Sequence, residues 1–235
     1  MPALHPDDRS LLITNALVMA GALAYGMAAN SVILPLLLGS LILALSLGIA
    51  WFSQGGIGSR IGLPALGMVM VGMIIHVAQG RPEAHFAVFA FLAVTVVYRH
   101  WLPVVVAAAT IAVHHLTFNY LQTWGWGPIC FTEPGLMRVI EHALYVIAEA
   151  GILIMLAQRA RSDFRTAEHL VRITGTLLDT SGHIDLRTRD QTPIDQASGT
   201  LLEALKGIEH SIVQVRATAR QDRKSTRLNS SHRLT

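Results

Sequence analysis

The stretch VILPLLLGSLILALSLGIAWF, residues 32–52, runs for 21 residues without a charged side chain. Wound as an α-helix at about 1.5 Å per residue, such a run reaches roughly 30 Å, the thickness of the hydrocarbon core of a bilayer. Its apolar residues are continuous. A strand of a membrane barrel would alternate apolar and polar side chains, so the barrel class is excluded. Five further apolar segments surround it, at residues 11–29, 62–79, 85–99, 101–121 and 137–157. The one at 85–99 is the shortest. The connections AANS, SQGGIGSR, QGRPEA and YRHW are short and carry Gly, Pro, Asn or charge. The fifth, TWGWGPICFTEPG, is longer and aromatic, as an interfacial loop is. The expected fold is therefore all-α: a polytopic membrane unit of six transmembrane helices over residues 1–158.

Composition agrees. Only 14% of the 235 residues are charged, against about 25% in soluble domains, and the mean hydropathy is +0.47. The N-terminus MPALHPDDRS is polar and leads straight into the first apolar segment, with no cleavable signal pattern. The single cysteine, Cys130, permits no intrachain disulfide, so the redox compartment is not readable from cysteines.

Charge sets orientation. With six spans, Arg9, Arg60, Arg99, Arg159, Arg161 and Arg165 fall on one side and Arg81 and Arg138 on the other. The positive-inside rule then places both termini in the cytoplasm. The net charge of +3 carries no further message. It comes wholly from residues 222–235, which hold four Lys/Arg and one Asp. Within them DRKSTRLNSSH, residues 222–232, reads residue for residue as the translation of a common sequencing-adapter oligonucleotide. This tail is expected to be adapter-derived, with the native chain continuing past about Gln221. Nothing here argues for nucleic acid or another acidic partner.

Residues 159–221 change character. Ile194, Ser198, Leu201, Leu205, Ile208, Ile212 and Val215 alternate spacings of four and three, which is the a/d seam of a coiled coil. A preceding helix at about 160–180 carries Phe164, Val171 and Leu178 seven apart. SGHIDLRTRDQTP lies between, with Gly182 as a helix stop and Pro193 as a first-turn residue. The pattern fits a helix–connector–helix relay that needs a partner strand, hence a homodimer. A plain helical hairpin is the alternative.

Histidines supply the candidate chemistry. His76, His85, His100, His114, His115 and His142 lie in or beside the apolar segments. The orientation above puts all but His100 into one outer slab, His114 and His115 roughly 10 Å below the surface. Glu83 and Glu141 join it, and Glu149 lies deeper with Tyr145. Ionisable groups in a bilayer are costly and mark functional sites by default. Neutral imidazole is the commonest metal ligand. Copper or zinc takes three or four donors, and haem takes one or two axial histidines from facing helices. The candidate cofactor set is His76, His85, His114, His115 and His142, with Glu83 added for a metal. Neighbours on a helix point about 100° apart, so His114 and His115 are not both ligands of one small site. The competing reading is that these residues are interhelical hydrogen-bond glue. No HExxH, CxxCH or HxxxH motif is present. Cys130 reads as an ordinary loop cysteine, Trp124 and Trp126 as interface anchors, and the MVMVGM methionines as packing.

Several of these residues also form a pattern. A Glu-x-His-Phe start (Glu83, His85, Phe86), a Tyr-Arg-x-Trp turn (Tyr98, Arg99, Trp101) and Ala-Val-His-His-Leu-x-Phe (His114, His115, Phe118) resemble the membrane sensor region of bacterial methyl-accepting chemotaxis proteins, which also precedes diguanylate cyclase outputs. His76 and His142 fit as well. His100 departs from it, since the resemblance expects an acid there. The likeness covers residues 60–157. Residues 160–221 resemble a HAMP-type relay, but PIDQASG replaces the expected Asp-Glu-x-Gly start of its second helix. The resemblance implies a sensory transducer that would engage a chemotaxis adaptor and kinase through an output domain. No methylation helix, receptor hairpin tip or GGDEF motif is present. The alternatives are a metal or proton transporter using the histidines as a relay, and the sensor part of a cyclase. No nucleophile–base pair supports an enzyme.

Overall fold

The computed structural model describes residues 3–176 and 192–232. Those residues form seven α-helices: α1 Pro6–Ala28, α2 Ile33–Ser53, α3 Ile57–Val77, α4 Pro82–Val94, α5 Trp101–Thr123, α6 Leu136–Thr176 and α7 Gln196–His232. A 3₁₀ turn, Thr95–Tyr98, extends α4. There is no strand among the described residues.

Five helices, α1, α2, α3, α5 and α6, are long and apolar enough to cross a membrane. The fourth apolar segment falls short of that length, ending at Tyr98 after starting at Pro82. Turn chemistry fixes both its limits. Pro82 occupies the first helical turn, where its missing N–H costs nothing. Arg99 turns left-handed at φ 50° and stops the helix.

The chain divides into two units, residues 1–161 and 162–235. In the first, α3 is the central post: 61% of its most apolar window is buried, against 22–28% in the other four long helices. Those four present leucine-rich faces outward, such as Leu37 and Phe52 of α2. Small residues let α3 take the centre. At Gly67 an added Cβ would sit 2.2 Å from Phe91 and 2.3 Å from Asn15. Gly67 thus seats the Phe91 ring and the Asn15 amide directly against the α3 backbone. The MVMVGM run belongs to this core, with Met68, Met70 and Met73 buried.

One end of the bundle is tied by the N-terminus. Asp8, fully buried, accepts hydrogen bonds from Gly55 N–H (2.7 Å), the Ser59 hydroxyl (2.8 Å) and the Tyr98 hydroxyl (2.6 Å). Asp7 pairs with Arg99 at 3.0 Å. The start of α1, the α2–α3 turn and the α4–α5 turn thus meet at one carboxylate pair. His100 belongs to this end. Its Nδ1 accepts from Leu102 N–H and caps α5, the job that an Asp at this position would do.

In the second unit, Ile173 of α6 packs with Leu202 and Leu205 of α7. Asp195 caps α7: its carboxylate accepts from Ser198 N–H at 2.8 Å, and the Ser198 hydroxyl reaches back to accept from Asp195 N–H at 3.2 Å. That reciprocal box starts the helix at Gln196, so Pro193 lies before the cap rather than in the first turn. Of the expected seam, Ser198 and Leu205 are buried, whereas Ile194, Ile208, Ile212 and Val215 are exposed. On the part of α6 after residue 161, Phe164 and Val171 are exposed and Ile173 is buried. Leu178, Gly182 and the DLRTR connector lie outside the described residues.

Candidate metal centre

Three histidines on three helices share one device. The Nδ1 of His85 (α4), His115 (α5) and His142 (α6) lies 3.0, 2.9 and 2.9 Å from the carbonyl oxygen four residues earlier, those of Arg81, Ile111 and Arg138. A carbonyl can only accept, so each Nδ1 carries the ring proton and each Nε2 keeps its lone pair. Metal-bound histidines are held in this way, with the second nitrogen donating to a carbonyl or carboxylate.

The three rings converge. Ring centroids are 5.4 Å apart for His85 and His115, 5.1 Å for His85 and His142, and 5.7 Å for His115 and His142. His85 and His115 are each only 5% exposed, and His85 Nε2 is buried without a hydrogen-bond partner. Cys130 comes down on them from the α5–α6 loop. One donor atom from each of His85, His115 and Cys130 lies within 4.8 Å of the other two, and all three residues are buried. This group can hold a metal ion. His142 is half-buried at its rim. Phe131 stacks on His85 at 5.6 Å and meets His142 at 5.1 Å, sealing one side.

The loop is held in place by several specific contacts. Gln122 binds it with both ends of its amide, Oε1 accepting from Cys130 N–H (2.9 Å) and Nε2 donating to the Phe131 carbonyl (2.6 Å). His76 Nδ1 accepts from Ile129 N–H at 2.9 Å. At Gly80, where φ is +69°, a Cβ would sit 2.4 Å from the Phe131 backbone, so only glycine lets the loop seat on the α3–α4 turn. Burial pushes the Cys130 thiol up to about 12.

The sequence candidates therefore separate. His85, His115 and His142 come together. His76 positions the loop. Its Nδ1 is an acceptor, which puts the proton of the neutral ring on Nε2 and leaves no free lone pair. His114 turns away from its neighbour, as the helix angle requires. It lies over Gly72, where a Cβ would be 2.7 Å from the ring, and against Phe118 at 4.0 Å. Both His114 nitrogens are buried without partners. With His76 it lines a separate apolar cavity of about 810 Å³ between α2, α3 and α5. His85, His115 and His142 line another, of about 490 Å³, between α4, α5 and α6. Glu83 and Glu141 are exposed and outside the group, and Glu149 is half-buried.

Cys130 is the ligand the sequence alone undervalues. Its one signal is position, in the aromatic loop on the same side as the histidines. Gln122 and Gly80 give no signal until the loop is folded onto them. Comparison of the chain with protein-family models, curated proteins and solved structures finds no match.

Proposed function

We propose that this chain is a membrane sensory transducer in which the histidine centre receives the stimulus and α6 carries the response. The observation that supports this most is the position of His142. It sits on a helix uninterrupted from Leu136 to Thr176, and from His142 to its end that helix is about 50 Å long. A change at the centre that moves the His142 ring therefore acts on that helix. Its C-terminal part carries the polar segment that resembles a signalling relay.

The rest of the reading is consistent with this. Thirteen α-helical and four 3₁₀ residues in Pro82–Tyr98 extend about 27 Å, because 3₁₀ rises more per residue. That length is close to the bilayer core and supports six spans with both termini cytoplasmic in a bacterial inner membrane. Exposed Ile208, Ile212 and Val215 offer a seam to a second copy. The resemblance to chemotaxis receptors assigns the output to adaptor and kinase binding beyond the relay.

Hydrogen exchange of the full chain in lipid nanodiscs tests the reading. His115→Ala and His142→Ala should change amide protection in residues 160–176 and 196–221, far from either substitution. A change confined to the outer end, together with solute flux in proteoliposomes, would replace the transducer with a transporter.

A further inference from the structure

We infer that His85, His115, Cys130 and His142 form a binding site for a borderline-soft transition-metal ion of the zinc class, three of its ligands preassembled and the fourth drawn in on α6. The site stands on geometry. Its effect on α6 rests on the sensory reading above.

Four observations converge. First, the donors suit the ion: three neutral imidazoles and one thiolate are a tetrahedral zinc set, and His₂Cys with a further ligand also suits copper. Second, all three histidines have their Nδ1 protons committed to carbonyls at 2.9–3.0 Å, which leaves Nε2 as the nitrogen with a lone pair on each ring. Interhelical glue would show the Nδ1 atoms bonded to other helices, and instead each is bonded within its own helix. Third, the His85, His115 and Cys130 donors are already within 4.8 Å of one another. Phe131 lies flat on His85, 11° from parallel, and edge-on to His115. Fourth, His142 is at the rim, outside the 4.8 Å group but 5.1 Å from His85 by ring centroid.

Binding is a ligand exchange. The ion gains one thiolate and three imidazole bonds and loses water, and the Cys130 proton leaves to solvent. Closing the fourth bond requires His142, and with it the N-terminal part of α6, to move toward α4 and α5. An ion held by four ligands in one state and three in the other binds the two states differently, which is the requirement for a ligand to shift a conformational equilibrium.

The experiment uses the full chain in nanodiscs loaded with zinc. Metal analysis should give stoichiometric zinc. X-ray absorption at the zinc edge should show one sulfur at about 2.3 Å and nitrogens at about 2.0–2.1 Å. Cys130→Ser should lose the sulfur. His85→Ala and His115→Ala should weaken binding by more than the roughly 10–100-fold that loss of an outer-sphere partner costs. His114→Ala, one residue away but in the other cavity, should bind as the unaltered chain does. No stoichiometric zinc, zinc without sulfur, or equal losses in His114→Ala and His115→Ala would each overturn the site. The edge spectrum needs no variant, so misfolding of a variant does not protect the proposal. Zinc should alter amide exchange in residues 160–176 of the unaltered chain and not of His142→Ala. Zinc bound by these ligands without that change keeps the site and removes its link to α6. Exchange that responds to the histidine substitutions without zinc binding keeps the transducer and removes the metal.

Discussion

At the scale of the residue, a hydrogen-bond partner decides what each histidine can do. His85, His115 and His142 give Nδ1–H to a carbonyl and keep Nε2 as a base. His76 receives a backbone N–H on Nδ1 and so becomes a positioning residue. Histidines equivalent in the sequence are in this way sorted by tautomer. Cys130 is fully buried, and its thiol is held up near 12. Only the thiolate reacts, so at pH 8 maleimide labelling of the folded, metal-free chain should run roughly three orders of magnitude slower than that of a free thiol. The rate should rise about tenfold per pH unit until the thiol ionises. Mass spectrometry of timed labelling checks this, and rapid labelling at pH 8 would show the loop lifted off Gly80.

At the scale of the element, helix ends matter more than helix middles. The middles are apolar and interchangeable, but the ends carry the specific polar contacts. Asp8 is the main example, because three donors from two other turns converge on its carboxylate. Asp8→Ala orphans all three at a buried position, each worth about 1–3 kcal/mol. A loss of roughly 3 kcal/mol or more is expected, read as a lowered unfolding midpoint in detergent titration, and Asp8→Asn should fall between. An unchanged midpoint would mean that water satisfies those donors. The same end holds His100, whose ring nitrogen caps α5, because an N-cap needs only an acceptor two or three residues before a free N–H.

At the scale of the whole molecule, the question is what the exposed apolar faces meet. On α1, α2, α3, α5 and the apolar part of α6 they suit lipid, because these runs are continuous and of spanning length. On α7 that answer is not available, because the helix is too polar to enter a bilayer. Its Ile208, Ile212 and Val215 are exposed, and the proposed second copy would cover them. In a Cys130→Ser background, Ile212→Cys should give disulfide-linked dimers on mild oxidation, and Gln214→Cys on a different face should not. Equal cross-linking at both positions, or none, would leave α7 without a specific partner.

The sequence alone determined the all-helical class with helices of membrane-spanning length and the positions of the apolar segments. Those features follow from composition and periodicity, which act locally. It also determined that His114 and His115 face different ways, because helix geometry leaves no choice. Which histidines meet, that Cys130 joins them, that α3 is the central helix and that Asp8 ties three turns together were decided only by tertiary structure. Several depend on how closely a side chain or a loop can approach a helix or turn, and that is set by glycines such as Gly67, Gly72 and Gly80, which have no side chain and hence no pattern of their own. The fourth segment shows both influences. Its apolar stretch is visible in the sequence, but its length comes from a proline at one end and a left-handed arginine held by Asp7 at the other.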